Sequence, residues 1–277
     1  MKDLVIDFHI HIMSEYDPVQ PWVMEWINSS YQKQPRLSLD TYSDPAKFVQ
    51  HLKESGVDYG VVLAEQSPIT TGIITNEKVA EFCSDYEELI PFASINPFLL
   101  PNPAKELKRL ITQYGFKGLK LYPTYQHYYP NDSSIYPIYA VAEEYQIPVM
   151  LHMGSSIFKG SRLKYGDPLY LDDVAVDFPD LKIIIVHSGR GFWYDRAFFL
   201  AKLHENVFME ISGLPPQKLL TYFPEFERNA DKIIFGSDWP GMPDIAENIK
   251  TIRQLPLSEE SKKKILGRNA AKILNLI

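Results

Sequence analysis

Two histidines separated by one residue lie in an apolar segment near the start of the chain, residues 5–12, VIDFHIHI. Side chains alternate between the two faces of a β-strand, so Asp7, His9 and His11 would share one face, while the apolar residues between them form the other. Two imidazoles on one strand face can bind a single metal ion. A pair of hydrogen-bonded core histidines would give the same pattern, so this motif alone leaves both interpretations open.

Polar side chains also follow three other apolar segments of the chain. His152, His187 and Asp238 each come at the end of a short run rich in Val, Ile or Phe. Burying these groups together with the first pair would be costly without a metal ion or paired charges. Neutral imidazoles and a carboxylate are ligands that suit Zn²⁺, and Mn²⁺ can also use them. The sequence therefore predicts a site for one divalent metal ion, for which Zn²⁺ is the first candidate.

Eight short apolar runs recur along the chain, and a helical pattern follows nearly every one. The runs cover residues 4–8, 57–64, 90–95, 116–122, 148–152, 182–187, 206–211 and 232–237. Amphipathic stretches between them include residues 45–55, 76–86, 104–114, 135–145 and 169–178, and residues 258–277 form a predicted last helix capped by Ser258. This alternation predicts an α/β fold, a (β/α)8 TIM barrel, in which the polar residues meet at the carboxyl ends of the strands. A doubly wound open sheet is the alternative, but no Gly-x-Gly-x-x-Gly motif follows the first run.

The predicted loop after strand one, residues 13–44, is longer than a plain barrel needs. It carries Tyr31 and two tryptophans, Trp22 and Trp26, which lie four residues apart and so share one face of a helix. That face either packs on the barrel or a second subunit, or forms a lid over the active site. Nothing in the sequence marks a second domain, so we expect residues 1–277 to form a single domain.

The composition restricts the class of protein. The 277 residues include 28 Lys and Arg and 35 Asp and Glu, and the formal net charge of −7 argues against nucleic-acid binding. A single cysteine excludes an internal disulfide framework and is typical of a reducing compartment. The start of the chain lacks a secretion signal, and no apolar stretch approaches the roughly 18 residues that span a bilayer. We therefore expect a cytoplasmic protein with a small-molecule substrate and no membrane association, and we leave open whether it forms a homo-oligomer.

The histidines and the aspartate, in their order along the chain, resemble the pattern of the amidohydrolase superfamily. The resemblance is greatest to the single-domain metal-dependent hydrolases related to aminocarboxymuconate-semialdehyde decarboxylase. The segment GSDWP at residues 236–240 is a specific marker of that branch, and the segment ILGRNAAKIL at residues 265–274 is similar to its usual ending. The resemblance thus covers nearly the whole chain.

The resemblance implies a role for each of five residues. His9 and His11 would bind the metal from strand one, and His152 would be the third nitrogen ligand. Asp238 would be a carboxylate ligand and also the residue that moves protons. His187 would be the catalytic histidine, which lies next to the metal in members with one ion and is a ligand in members with two.

Four further residues are candidates for substrate binding: Lys120, Tyr122, Arg190 and Trp239. Alternation places Lys120 and Tyr122 on one face of strand four, so both enter the barrel if that face points inward. Some superfamily members carry a carboxylated lysine on strand four that bridges two metals, whereas the decarboxylase-like branch generally uses one metal and an unmodified lysine. Arg190 could pair bidentately with a substrate carboxylate, or form a surface ion pair. Trp239 is either a pocket wall or a core residue.

These residues suffice for hydrolysis of an ester, a lactone or an amide through a metal-activated water. The alternative is non-oxidative decarboxylation of an unsaturated or aromatic acid, in which the metal holds the acid and carbon is protonated as carbon dioxide leaves. A barrel that only binds ligands is a third interpretation, but such a protein should have lost one or more of the ligands. We expect a small, anionic substrate in both enzymatic cases.

Overall fold

The computed structural model describes residues 3–14, 16–30, 43–242 and 244–277, apart from the side chain of Ser30. Within these ranges, eight strands form one parallel sheet in sequential order. Numbered one to eight, they are Ile6–His11, Tyr59–Leu63, Leu89–Ser94, Gly118–Leu121, Val149–Gly154, Ile183–Arg190, Val207–Glu210 and Ile233–Ile234. Backbone hydrogen bonds from Phe8 N to Phe235 O and from His11 N to Trp239 O join the two ends of the sheet. The predicted TIM barrel is therefore confirmed.

Helices alternate with the strands around the outside of this barrel. In the described ranges they are Pro21–Ser30, Pro45–Glu54, Asn76–Cys83, Pro103–Tyr114, Pro123–Gln126, Tyr136–Glu144, Leu171–Asp177, Tyr194–Leu203, Leu219–Tyr222, Ile245–Gln254, Glu259–Lys263 and Asn269–Ile273. The helix at Pro45–Glu54 begins where the sequence dictates, because Asp44 accepts a hydrogen bond from Lys47 N and a proline stands in the first turn. None of the described helices is long and apolar enough to cross a membrane.

The predicted last helix differs in its interior. Ser258 caps it as expected, since its hydroxyl accepts a hydrogen bond from Ser261 N. A π-helical turn at Lys264–Arg268 then interrupts the α-helix, which resumes and ends at Ile273. This end of the chain closes the bottom of the barrel, because Ala271 and Ile273 pack against the apolar residues inside it.

Among the described residues, two apolar clusters make up the core. The inner cluster lies inside the barrel, and its strand residues are Ile6, Phe8, Val61, Leu63, Ile90, Phe92, Met150, Ile184, Val186 and Ile234. The outer cluster lies between the strands and the surrounding helices. The inner cluster fills the lower part of the barrel, so that only the end at the carboxyl termini of the strands is available for a polar site.

Strand one does not follow the alternation that the sequence predicts. Ile6 and Phe8 point into the barrel, although alternation places them on the face opposite His9 and His11. The register with strand two slips by one residue after Asp7, since Asp7 pairs with Gly60 but Ile10 pairs with Val62. A bulge of this kind reverses the alternation of all the residues beyond it. His9 and His11 therefore point into the barrel, as Ile6 does, and not to the opposite side.

In the described part of the chain, two segments cover the carboxyl end of the barrel. A hairpin of the strands Glu65–Ser67 and Gly72–Ile74 follows strand two, and no pattern in the sequence predicted it. The helix Pro21–Ser30 lies beside it, with Trp22 donating from Nε1 to the carbonyl of Thr70 at 2.7 Å. The rest of the predicted loop after strand one, including Tyr31, lies outside the described residues.

Candidate metal centre and active site

A cavity of about 350 Å³ opens at the carboxyl ends of the strands. This volume is at the small end of the range for small-molecule sites. The cavity is lined by eight of the residues expected from the sequence: His9, His11, Lys120, Tyr122, His152, His187, Arg190 and Asp238. Five of these are called here the His–Asp cluster: His9, His11, His152, His187 and Asp238.

The tightest part of the cluster joins strand one to the residues after strand eight. His9 Nε2 lies 3.1 Å from His11 Nε2 and 3.5 Å from Asp238 Oδ1. His11 Nε2 lies 3.8 Å from the same carboxylate oxygen. Three donor atoms are thus within 3.8 Å of one another, although they come from two separate segments of the chain.

The two other histidines extend the cluster across strands five and six. Donor atoms of His187, His9 and Asp238 all lie within 4.8 Å of one another. The ring of His152 contacts the ring of His187, with centroids 4.7 Å apart. His152 Nε2 is buried and has no hydrogen-bond partner within the described residues. An unpaired buried nitrogen is costly, which points to a ligand at this atom.

Glu210 and Ser212 fix the orientation of two of these imidazoles from below. His9 Nδ1 lies 2.9 Å from Ser212 Oγ and 3.3 Å from Glu210 Oε2. His187 Nδ1 lies 2.9 Å from the carbonyl oxygen of Ser212, which can only accept, so this nitrogen donates. Both rings thereby use Nδ1 for protein contacts and leave Nε2 as the nitrogen with a lone pair.

Burial controls the charge of the cluster. It lowers the pKa of His9, His152 and His187 well below the usual value, and that of His11 to about 3. The imidazoles are therefore neutral, as metal ligands must be. Burial raises the pKa of Asp238 to about 6, an effect that the nearby Arg190 and Lys120 reduce.

The donor set fits a divalent metal ion. It offers neutral imidazole nitrogens and one carboxylate, with the second nitrogen of His9 held by Glu210 and Ser212. The unpaired nitrogen of His152 faces the same cavity. Zn²⁺ and Mn²⁺ both accept nitrogen and oxygen ligands of these types.

Two residues of the cluster occupy a backbone conformation that most residues avoid. His187 has a φ of 60° and Asp238 a φ of 66°, both in the left-handed region. Each such residue costs roughly 1–2 kcal/mol relative to the right-handed region. The turn that follows each apolar run thus directs the polar side chain into the cavity at a cost in stability, as is common at functional sites.

Lys120 lies fully buried on strand four, and its Nζ has no hydrogen-bond partner among the described residues. The Nζ lies 5.0 Å from the centre of the Tyr122 ring, while the Tyr122 hydroxyl donates to the carbonyl of Ala64 at 3.1 Å. Burial lowers the pKa of Lys120 to about 8, although the carboxylates of Glu210, Asp238 and Glu65 oppose this shift.

The sequence left two alternatives open for Arg190, substrate binding or a surface ion pair, and two for Trp239, pocket wall or core. The Arg190 guanidinium lines the cavity and donates to the carbonyl of Ser155, at 3.1 Å from Nη2 and 3.4 Å from Nε, and it forms no ion pair with the described residues. Trp239 was expected to contact substrate, but it lies in the outer core, fully buried against Phe48 and His51 with ring centroids 5.1 and 5.6 Å away. The prediction for Trp239 is thus corrected in favour of the core interpretation.

Sequence reasoning missed two carboxylates and one glycine at this site. Glu65 lines the cavity, and its Oε2 lies 3.8 Å from His11 Nδ1, while Glu210 lies beneath His9. Both directly follow the apolar residues of a strand, so the rule that found the histidines would also have found them. Gly213 has no such signal: a Cβ there would come within 2.6 Å of Arg190 Nη1, so only glycine leaves room for the guanidinium.

A closed parallel barrel with a His–Asp cluster at the carboxyl ends of its strands defines a TIM-barrel protein with a candidate metal site. The chain belongs to the amidohydrolase family, whose model matches residues 6–276. The predicted membership in that superfamily is therefore confirmed.

Comparison with solved structures gives the same fold. An uncharacterised TIM-barrel protein from Bordetella bronchiseptica superposes with a TM-score of 0.81 at 21% identity, covering 98% of each chain. 5-Carboxyvanillate decarboxylase from Novosphingobium aromaticivorans, complexed with manganese and 4-hydroxy-3-methoxy-5-nitrobenzoic acid, gives a TM-score of 0.69 at 16% identity over 98% of this chain and 96% of that one. A probable 2-pyrone-4,6-dicarboxylic acid hydrolase from Acinetobacter baumannii, with citric acid bound, gives 0.67 at 20% identity over 98% and 99%.

Proposed function

We propose that this protein is a metal-dependent hydrolase that cleaves a small anionic carbonyl compound, which could be an ester, a lactone or an amide. One observation carries the proposal: the His–Asp cluster shares a single cavity with two cationic side chains, Lys120 and Arg190. The two cationic side chains would bind the negative charge of the substrate, and the His–Asp cluster would carry out the reaction. We also propose that residues 1–277 act as one domain.

We propose that His9, His11, His152 and Asp238 hold one divalent ion, with His187 beside it. When bound, such an ion supplies Lewis acidity, which polarises a substrate oxygen and lowers the pKa of water to about 7. Zn²⁺ is our first candidate and Mn²⁺ the second. The manganese in the structure of 5-carboxyvanillate decarboxylase supports keeping both.

Asp238 is the group that we assign to proton transfer. Its carboxylate lies at the centre of the cluster, 3.5 Å from His9 Nε2, and burial raises its pKa to about 6. A carboxylate positioned beside the attacking water can accept its proton and return it to the leaving group. Asp238 would take the proton of the attacking water and deliver it to the leaving oxygen or nitrogen.

His187 is assigned to holding the attacking water. Its Nδ1 donates to the carbonyl of Ser212, so the neutral ring presents a lone pair at Nε2. A lone pair accepts a hydrogen bond and cannot donate one, so His187 would align a water hydrogen and would not bind a carbonyl oxygen. This tautomer favours water over a substrate carbonyl as the partner of the His187 ring.

Lys120 and Arg190 would bind the negatively charged part of the substrate. Lys120 Nζ is buried without a hydrogen-bond partner in the described part of the chain, and a carboxylate would satisfy it. Arg190 uses Nε and Nη2 for the carbonyl of Ser155. Its Nη1 has no hydrogen-bond partner among the described residues, and it borders the small space above Gly213 that Asp238 Oδ2 also borders.

A decarboxylase is the second candidate, and Lys120 is the observation that favours it. A cation buried in the cavity can hold the carboxylate of an unsaturated or aromatic acid next to the His–Asp cluster. Two structural neighbours are consistent with an anionic ligand in either case, since one holds a nitrobenzoic acid and the other holds citric acid.

Isotope labelling should separate the two reactions. We expect that a panel of esters, lactones, amides and aryl carboxylic acids, incubated in H₂¹⁸O and D₂O, will give a product that contains ¹⁸O from solvent. Hydrolysis adds solvent oxygen to the product, whereas decarboxylation adds a solvent hydrogen to carbon and releases carbon dioxide. Mass spectrometry of each product measures both labels. Carbon dioxide release without ¹⁸O in the organic product would replace the hydrolase with the decarboxylase.

Metal analysis tests the site independently of the substrate. We expect protein purified without chelator to contain about one equivalent of a divalent ion, because the donor set offers three imidazoles and one carboxylate for it. His9→Ala should lose most of this metal, while His204→Ala should keep it, since His204 pairs with Asp172 outside the cavity. Elemental analysis measures both. Protein without metal and with activity unaffected by chelators would contradict the site.

A further inference from the structure

The cavity has an apolar upper part above the polar floor just described. The helix Pro21–Ser30 turns Val23, Trp26 and Ile27 toward it, and Ile73 and Phe158 also line it. We call these five residues the apolar chamber. None of them bears a charge or a side-chain hydrogen-bonding group other than the indole nitrogen, so the chamber suits an apolar part of a ligand.

Trp26 is held against the backbone of Gly241, in the turn that Met242 N closes on the carbonyl of Asp238. A Cβ on Gly241 would lie 1.9 Å from Trp26 Cη2 and 2.1 Å from Cζ3, so the indole rests directly on the glycine. The three atoms nearest to that position all belong to Trp26. The backbone of Gly241 is not left-handed, so a side chain at this position would be excluded by the Trp26 ring and not by backbone strain.

A continuous row of rings connects this tryptophan with the polar floor. Trp26 meets Phe158 edge to face at 5.2 Å, and Phe158 meets Tyr125 at 6.2 Å with an angle of 73°. Tyr125 then contacts the ring of His152 at 4.5 Å. Trp26 is therefore the end of this row of rings opposite His152.

We propose that Trp26, seated on Gly241, sets the maximum length of the apolar part of the substrate. The inference rests on the proposed function in one respect, namely that the anionic end of the substrate lies on the polar floor near Lys120 and Arg190. The substrate class is thus a small acid whose apolar body extends from the floor to the indole. Trp26 contacts that body and is a specificity-determining residue, and Gly241 is a positioning residue.

A series of para-alkylbenzoates, from benzoate to 4-hexylbenzoate, tests the length limit by isothermal titration calorimetry. For the wild-type protein we expect affinity to rise with chain length and then to fall once the alkyl group reaches Trp26. In Trp26→Ala the maximum should move to a longer chain, with about a fourfold gain in affinity for each additional methylene accepted. Trp22→Ala is the matched control, because Trp22 lies on the same helix and, within the described residues, does not line the cavity.

A double-mutant cycle tests, without any ligand, whether the indole of Trp26 packs on Gly241. Gly241→Ala should lower the melting temperature of the wild-type protein and should lower it much less in the Trp26→Ala background, where the opposing ring is gone. Equal losses in the two backgrounds would show that Trp26 does not rest on Gly241.

The outcomes of the titrations separate this inference from the proposed reaction. A maximum at the same chain length in wild type and Trp26→Ala overturns the length limit, as does a failure of both proteins to bind any member of the series. A shifted maximum together with no turnover of any carbonyl compound or acid would contradict the proposed hydrolysis and leave the role of Trp26 intact.

Discussion

Replacing Asp238 by Asn is expected to lower turnover by about 10³- to 10⁴-fold, the upper part of the range for a positioned proton-transfer group. An amide has nearly the shape of a carboxylate but cannot accept a proton at neutral pH. The φ of 66° at this position is tolerated by Asn as well as by Asp, so the fold should be preserved. The measurement is kcat with the substrate that the labelling experiment identifies.

Metal content distinguishes lost proton transfer from a lost ligand. The amide oxygen of Asp238→Asn can still bind a metal weakly, so this variant should retain more metal than His9→Ala does. Asp244→Asn is the control, because it removes a negative charge at a helix cap where Asn serves equally well. If Asp238→Asn keeps wild-type turnover with metal bound, the proton passes through another group and our assignment is wrong.

The eight strands could be predicted because buried parallel strands are short, continuous apolar runs. Their exact ends could not. The last run was predicted over residues 232–237, but only Ile233–Ile234 form a strand, since the chain then turns toward Asp238 with its left-handed backbone. Such a turn depends on contacts with strand one, including the bond from Asp238 N to the carbonyl of His9, which no local pattern contains.

The bulge in strand one shows how the histidines can line one cavity although simple alternation assigned the wrong faces to the residues before them. Simple alternation placed Asp7 beside His9 in the cavity, yet Asp7 lies beneath it and accepts hydrogen bonds from the backbone of His9 and Ser237. The bulge is visible only as a register shift against strand two. A single strand read alone cannot reveal that shift, because register is a property of two strands.

The supporting residues of the site were harder to predict than the cluster itself. Ser212 lies beyond strand seven, and its contacts with His9 and His187 depend on the meeting of three strands that are distant in sequence. Trp239 is an error of another kind, because it was predicted to line the pocket but lies in the core. It stands next to Asp238 in the chain, but consecutive side chains point in different directions, so proximity in sequence placed it wrongly in the pocket.

Replacing His187 by Ala is expected to lower turnover by about 10²-fold or more while leaving the metal in place. The metal should remain because His9, His11, His152 and Asp238 still supply the proposed ligands. The rate should fall because the Nε2 lone pair, which Ser212 orients through Nδ1, no longer aligns the attacking water. Elemental analysis and kcat, measured on the same preparation, test the two parts of this prediction.

Two further variants exclude a purely structural explanation for that loss. His187→Asn also removes the imidazole, and Asn adopts the left-handed backbone more readily than Ala, so a similar loss in both variants would point to the ring and not to the φ of 60°. His204→Ala removes an imidazole that pairs with Asp172 away from the cavity, and it should keep the wild-type rate. Because added imidazole can occupy the space that His187→Ala leaves, it should restore part of the rate in that variant and none in Asp238→Asn. Full activity of His187→Ala would remove this residue from the mechanism and leave Asp238 to position the water as well as to accept its proton.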